Sequence, residues 1–276
     1  MRYFSQLFMI QSKIRDRFFK KKQTVLNYDD EFNFDELLER FDIPLDSHIF
    51  IHAGLKNIKQ ISKLEYKSIV ESLIQSIQKI YKPSAIIAPA FTPSFRKCGV
   101  YSKLYSKGEY GVFSEIFRGI ADYRTDDAIH SVSIISQDIE KFKNLNYDDS
   151  FSTDGFFGSF HKNTYIINIS TEHFVSTYMH YVEELMKVPY KDKSKAVYKG
   201  VIYDENNIVS SKIQTNHYYK FSTMINRTKV KSLFLKNQYI SYYRYKNIEV
   251  SCIKVEDLVR ILTQSIEKNP YYLVTF

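Results

Sequence analysis

Between residues 34 and 190, short β-branched and aromatic runs alternate with stretches whose apolar residues recur at helical spacing. Asn33 precedes FDELLERFDI, an amphipathic segment with acidic residues in its first turn, which predicts a short helix. HIFIH, from His48 to His52, predicts a buried strand ending in a small-residue turn at Ala53-Gly54. Residues 63–81 predict a long helix stopped before Pro83, and SAIIAPAF a second buried strand. The stretch TPSFRKCGVYSKLYSKGEYG reads as a loop and GVFSEIFRGI as a short helix. HSVSIIS and KNTYIINIS are two further strands, the second running straight into a helix around His180. This alternation predicts an α/β fold, a mostly parallel central sheet flanked by helices on both faces. From about residue 195 the pattern changes to Tyr-rich strands with turns, and VEDLVRILTQSIEKN closes the chain as a helix.

The ends divide the chain. Residues 1–30 stand apart as a basic amphipathic segment, MRYFSQLFMIQSKIRDRFFKKK followed by a polar linker. It reads either as a helix packed on the body or on a second subunit of a homodimer, or as a membrane-surface element formed by residues 1–22. Residues 31–276 read as a single α/β domain. Cys98 and Cys252 include no C-x-x-C, so neither a disulfide framework nor a zinc site is expected, and the default location is cytoplasmic. A net charge of +8 favours anionic partners. Nucleic acid is not among them on this reading, because the aromatics sit in periodic apolar segments and no RNA-binding signature is present.

Ligands of open α/β sheets bind just beyond the carboxyl ends of the strands. Three features fall there: the turn Ile51-His52-Ala53-Gly54-Leu55, the segment Ala88–Ser94, and the helix carrying Thr177, His180 and Glu183. Ala53-Gly54 is either a plain strand-to-helix turn or a place where backbone amides approach a phosphate. Arg96, Lys97, Lys103 and Lys107 either clamp phosphates or coat a solvated loop. His180 and Glu183, three apart on a helix, lie side by side, and a histidine polarised by a carboxylate is the usual general base near neutral pH. Such pairs are also common on solvated helix flanks, so spacing alone does not decide between them. His48 and His52 are about 13 Å apart on a strand and cannot share a metal. His161, His173 and His217 have no partner at motif spacing and read as surface or packing residues.

Four segments, in order, resemble the aminoglycoside 3-N-acetyltransferase family. They are I-H-A-G-L at 51–55, A-P-A-F-T at 88–92, E-I-F-R at 115–118 followed by R-T-D-D-A-I-H-S at 124–131, and T-Y-M-H-Y-V-E at 177–183. The resemblance spans roughly residues 34–265. It implies a CoA-dependent N-acyltransferase that uses acetyl-CoA or another acyl-CoA as co-substrate and no metal. His180 would be the general base, Glu183 its orienting carboxylate, and Thr177 a donor to the histidine or to the thioester oxygen. His52, Ala53, Gly54 and Leu55 would lie against CoA, with Thr92 and Arg118 lining the cleft. Two departures stand out: the family's two serines after the first histidine are Ala53 and Gly54, and its His-Pro is Asp127-Ala128. His130 has a counterpart in some members.

An aminoglycoside is a polycation, and this chain is basic. Charge therefore favours a nucleotide-linked amino sugar of surface-polysaccharide synthesis as the small-molecule acceptor. The alternatives are an aminoglycoside antibiotic, or a family member that binds an anionic ligand without catalysis.

Overall fold

The computed structural model of the protein describes residues 32–171, 174–192, 194–220 and 223–275. The N-terminal amphipathic segment and His173 lie outside the described residues. In chain order the first elements are α1 (Phe34–Leu38), β1 (His48–Ala53), α2 (Leu55–Ser62), α3 (Tyr66–Tyr81), β2 (Ala85–Pro89), α4 (Phe95–Cys98) and β3 (Val100–Ser102). There follow α5 (Val112–Ile120), β4 (Tyr123–Arg124), β5 (Val132–Ile135), α6 (Glu140–Lys143), α7 (Phe156–Ser159), β6 (Thr164–Ile169) and α8 (Tyr178–Leu185). The last are β7 (Ala196–Tyr203), β8 (Val209–Asn216), β9 (Met224–Ile225), α9 (Arg227–Lys236), β10 (Ser241–Tyr245), β11 (Ile248–Lys254), α10 (Val255–Lys268) and β12 (Val274–Thr275).

β1 sits mid-sheet because it is apolar on both faces. Ile49, Phe50 and Ile51 are all fully buried, and strand alternation sends them to opposite sides. Ile49 and Ile51 enter an apolar cluster with Leu37 and Leu38 of α1, Leu73 and Ile77 of α3 and Phe117 of α5. Phe50 enters the other, with Val182 of α8, Phe234 of α9 and Leu258 of α10. Helices thus cover both faces, as the alternation predicted.

The main sheet has seven strands in the order β10-β11-β6-β1-β2-β5-β4. Only its centre is parallel: β1 pairs with β2 and with β6 in that sense. The four outer pairings are antiparallel. The expectation of a mostly parallel sheet is corrected to a mixed one, and chain connection explains why. The helices α2 and α3 carry the chain back between β1 and β2, as a parallel pairing requires. β10 and β11 are instead joined by Lys246-Asn247, with φ of 43° and 67°. Such a two-residue turn can only make an antiparallel hairpin. β3, β7 and β8 form a separate three-stranded sheet.

β6 does not run straight into α8. A connecting segment intervenes, and Asn168 holds Val175 back onto the strand: its side chain accepts from Val175 N at 3.1 Å and donates to Val175 O at 3.1 Å. Helix α9 escaped sequence reading because only Val230 and Phe234 of its ten residues are buried, too few to mark a period.

Gly54 ends β1 and caps α2. Its N–H donates to Ile169 O at 2.8 Å, and a Cβ built there would stand 2.4 Å from Ser170 O. The glycine is therefore required by the close approach of two strand ends. Gly54→Ala should lower stability by about 1–3 kcal/mol through overpacking. Thermal unfolding checks this, and an unchanged melting temperature would refute the tight approach.

Candidate active site

A cleft of about 360 Å³ opens at the carboxyl ends of β1, β2 and β6. β1 contributes His52 and Ala53, β2 Pro89, and the segment after β6 contributes Thr171, Val175 and Ser176. Thr177, Met179 and His180 project from the start of α8. His130 reaches the same rim because β5 runs antiparallel to β2, pairing Val132 with Pro89. A residue before an antiparallel strand lies at the same end as a residue after its partner. Phe91, Tyr110 and Phe113 form an aromatic wall, and Arg227, at the start of α9, lines the mouth.

His180 is 30% exposed, whereas Glu183 is fully buried behind it. His180 Nδ1 lies 2.9 Å from Glu183 Oε2 and 2.9 Å from the Tyr219 hydroxyl. Tyr219 also donates to Glu183 Oε2 at 2.8 Å. Lys191 Nζ stands 3.0 Å from the same oxygen, and Tyr190 donates to Oε1 at 3.1 Å. Burial pushes the Glu183 carboxyl up, but the His180 bond, the His180 and Lys191 charges and the Tyr219 bond outweigh it and hold it at about 2. Glu183 is thus an anion at working pH. Burial and the neighbouring carboxylate push the Tyr190 and Tyr219 phenols up, so both remain donors. With Nδ1 facing an obligate acceptor, the imidazole carries its proton there and leaves Nε2 to take another.

His52 and His130 are held in the neutral form. Burial, with a smaller contribution from the Arg227 charge, lowers His52 to about 3. Burial and then the His180, Arg96 and Lys191 charges push His130 well below its ordinary value. His130 Nδ1 is 2.9 Å from Ser150 Oγ, which accepts from Gln214 Nε2 at 3.1 Å. The Asp127 carboxylate accepts from Ile129 N at 2.9 Å and His130 N at 2.6 Å, so the residue in place of the family's histidine shapes the turn that carries His130.

Of the residues expected from sequence, the structure brings His52, Ala53, Thr177 and His180 to the cleft and seats Glu183 behind His180. The rest lie elsewhere. Leu55 is 4% exposed and packs in the core as the first residue of α2. Gly54 meets the Ser170 backbone. Thr92 and Arg118 do not line the cleft: the Thr92 hydroxyl donates to Ala128 O at 3.0 Å. Arg118 holds Glu115 at 2.7 and 3.0 Å and Leu104 O at 2.6 Å. Lys103, one of the loop cations, bridges Asp126 and Glu205. His217 is paired with Glu184. Lys191, Tyr190 and Tyr219 were missed, because nothing in a chain with 23 tyrosines marks these two. Among the described residues no group of three His, Cys, Asp or Glu is placed to hold a metal, and no helix is long and apolar enough to cross a membrane.

The sequence profile of the aminoglycoside 3-N-acetyltransferase family matches residues 50–267. The chain belongs to that family. It is therefore an acyl-CoA-dependent N-acetyltransferase, with acetyl-CoA as co-substrate. No curated protein sequence matches it. Solved relatives are distant in sequence and close in fold. AAC-IIIb with CoASH is 10% identical with a TM-score of 0.69, over 85% of this chain and 95% of that one. A histidine-to-alanine mutant of AAC(3)-IVa with gentamicin is 13% identical with a TM-score of 0.67, over 89% of this chain and 92% of that one. YokD of Bacillus subtilis is 13% identical with a TM-score of 0.69, over 86% and 92%.

Proposed function

We propose that this family member transfers the acetyl group of acetyl-CoA to an amine of an aminoglycoside-type amino sugar, with His180 as the general base. The observation that carries the reading is His180 on the cleft wall with Nδ1 held by a fully buried, ionised carboxylate. Nε2 takes the proton of the attacking amine, Glu183 steadies the resulting imidazolium, and that proton goes to the departing sulfur as the thioester C–S bond gives way to the new C–N bond. The Thr177 hydroxyl, which does not cap α8 and lines the cleft, and the first amides of that helix are the donors this reading assigns to the developing oxyanion. These residues fit the co-substrate. Ala53, Pro89, Phe91, Val175 and Met179 give walls suited to a pantetheine arm, and the exposed Arg227 offers a cation to phosphate. When bound, acetyl-CoA supplies the acyl group as a reactive thioester.

For the acceptor, the relative with gentamicin favours an aminoglycoside over the nucleotide-linked amino sugar expected from charge. The deciding assay follows thiol release from acetyl-CoA with one panel of aminoglycosides and another of nucleotide-linked amino sugars. Release with the first panel is expected. Release with the second alone would restore the charge argument, and release with neither would overturn the proposal.

A further inference from the structure

Glu183 Oε2 serves three donors, and one of them has no evident part in proton transfer. Lys191 is 6% exposed, and its ammonium lies 3.0 Å from the same oxygen that holds His180. Its place is built. Lys191 and Tyr219 face each other across an antiparallel bridge, held by Lys220 N to Tyr190 O at 2.8 Å and Asp192 N to Tyr218 O at 2.9 Å. The ammonium also sits 5.5 Å from the Tyr219 ring and 5.9 Å from the Phe151 ring. Phe151 in turn packs 5.5 Å from the His180 ring.

A carboxylate that paired with His180 alone would favour the imidazolium with its whole charge. That would favour the protonated form and leave less of the free base that the reaction needs. A buried ammonium on the same oxygen cancels much of that field. We propose that Lys191 is a positioning residue for the acyl-transfer base: by sharing the Glu183 carboxylate with His180, it keeps the imidazole neutral and open at Nε2. The inference rests on His180 being the base in the reading above. The other groups facing His180 do not replace Lys191. Tyr190 and Tyr219 are neutral donors to Glu183. His130 lies across Phe151 and is held neutral. Glu184 is engaged by Lys195 and His217. Arg227 stands in the cleft lining as an exposed cation and makes no contact with Glu183 among those described.

The test is an imidazole NMR titration of the full chain, with His180 assigned by the signal lost in His180→Asn. In Lys191→Met the His180 midpoint should rise by roughly one pH unit, from the loss of one nearby charge discounted for partial exposure. Lys191→Gln, which keeps a hydrogen-bond donor, should do the same if the Met variant folds poorly. Lys191→Arg should restore the wild-type midpoint. The acid limb of kcat/KM against pH should move with the titration. An unmoved midpoint in folded Met and Gln variants overturns the proposal, as does a rate loss equal at every pH. The titration reads the coupling whether or not acetyl transfer is detected, so its outcome is separate from that of the thiol-release assay.

Discussion

His180→Ala should lower kcat/KM by about 10²–10⁴-fold, the usual contribution of a positioned general base, while CoA binding and fold survive. The reason lies in how the network degrades. When His180 goes, Glu183 still accepts from Tyr219, Lys191 and Tyr190 at 2.8, 3.0 and 3.1 Å. The buried carboxylate is not orphaned, and the side chain removed is one that was 30% exposed. Stability should therefore change by less than about 1 kcal/mol, as for a surface-facing truncation. Thiol-release kinetics and a CoA-induced melting shift measure the two halves separately. A loss of less than tenfold would remove His180 from the chemistry. A collapse of CoA binding would recast it as a binding residue.

What could be read from the chain beforehand was what lies close together along it. The central strands announce themselves because Ile49–Ile51 and Ile86–Ala88 are apolar on both faces and must be covered twice. His180 and Glu183 are adjacent on any helix drawn through them. What was not legible depends on long-range pairing. His130 reaches the cleft only because β5 runs against β2, and strand sense is not written in strand composition. Lys191 and Tyr219 meet only because the segment after α8 pairs with the segment after β8. Motif membership does not by itself mean exposure. Leu55 follows the motif's histidine but faces the core, and Arg118 is turned to Glu115 rather than to a ligand. The family's first motif thus has two duties here: His52 and Ala53 face the cleft, while Gly54 and Leu55 let the sheet and α2 pack.

Removing the other half of the pair should behave differently. Glu183→Ala leaves the Lys191 ammonium, 6% exposed, without its carboxylate, along with two phenols and an imidazole. Breaking a buried ion pair from one side costs about 3–5 kcal/mol, or a fall in melting temperature of roughly 10 °C for a chain this size. Two companion results follow. Adding Lys191→Met to Glu183→Ala should recover much of the loss, since the orphaned charge is gone, and a double-mutant cycle measures the coupling. The pH dependence should change as well. Glu183 is held at about 2, below its ordinary 4.5, so the unfolded state binds the proton first on acidification. Its stabilisation is complete above about pH 4.5 and drains away as pH falls toward 2, a difference on the order of 3 kcal/mol. Denaturant melts from pH 6 to pH 3 should therefore slope less steeply in Glu183→Ala than in the wild type. Equal slopes, with a melting temperature within about 2 °C of the wild type, would mean that Glu183 is neither ionised nor central to the fold. The contrast between the two substitutions is the test of the proposed roles: loss of His180 should cost the rate alone, and loss of Glu183 both the rate and the structure that holds the base.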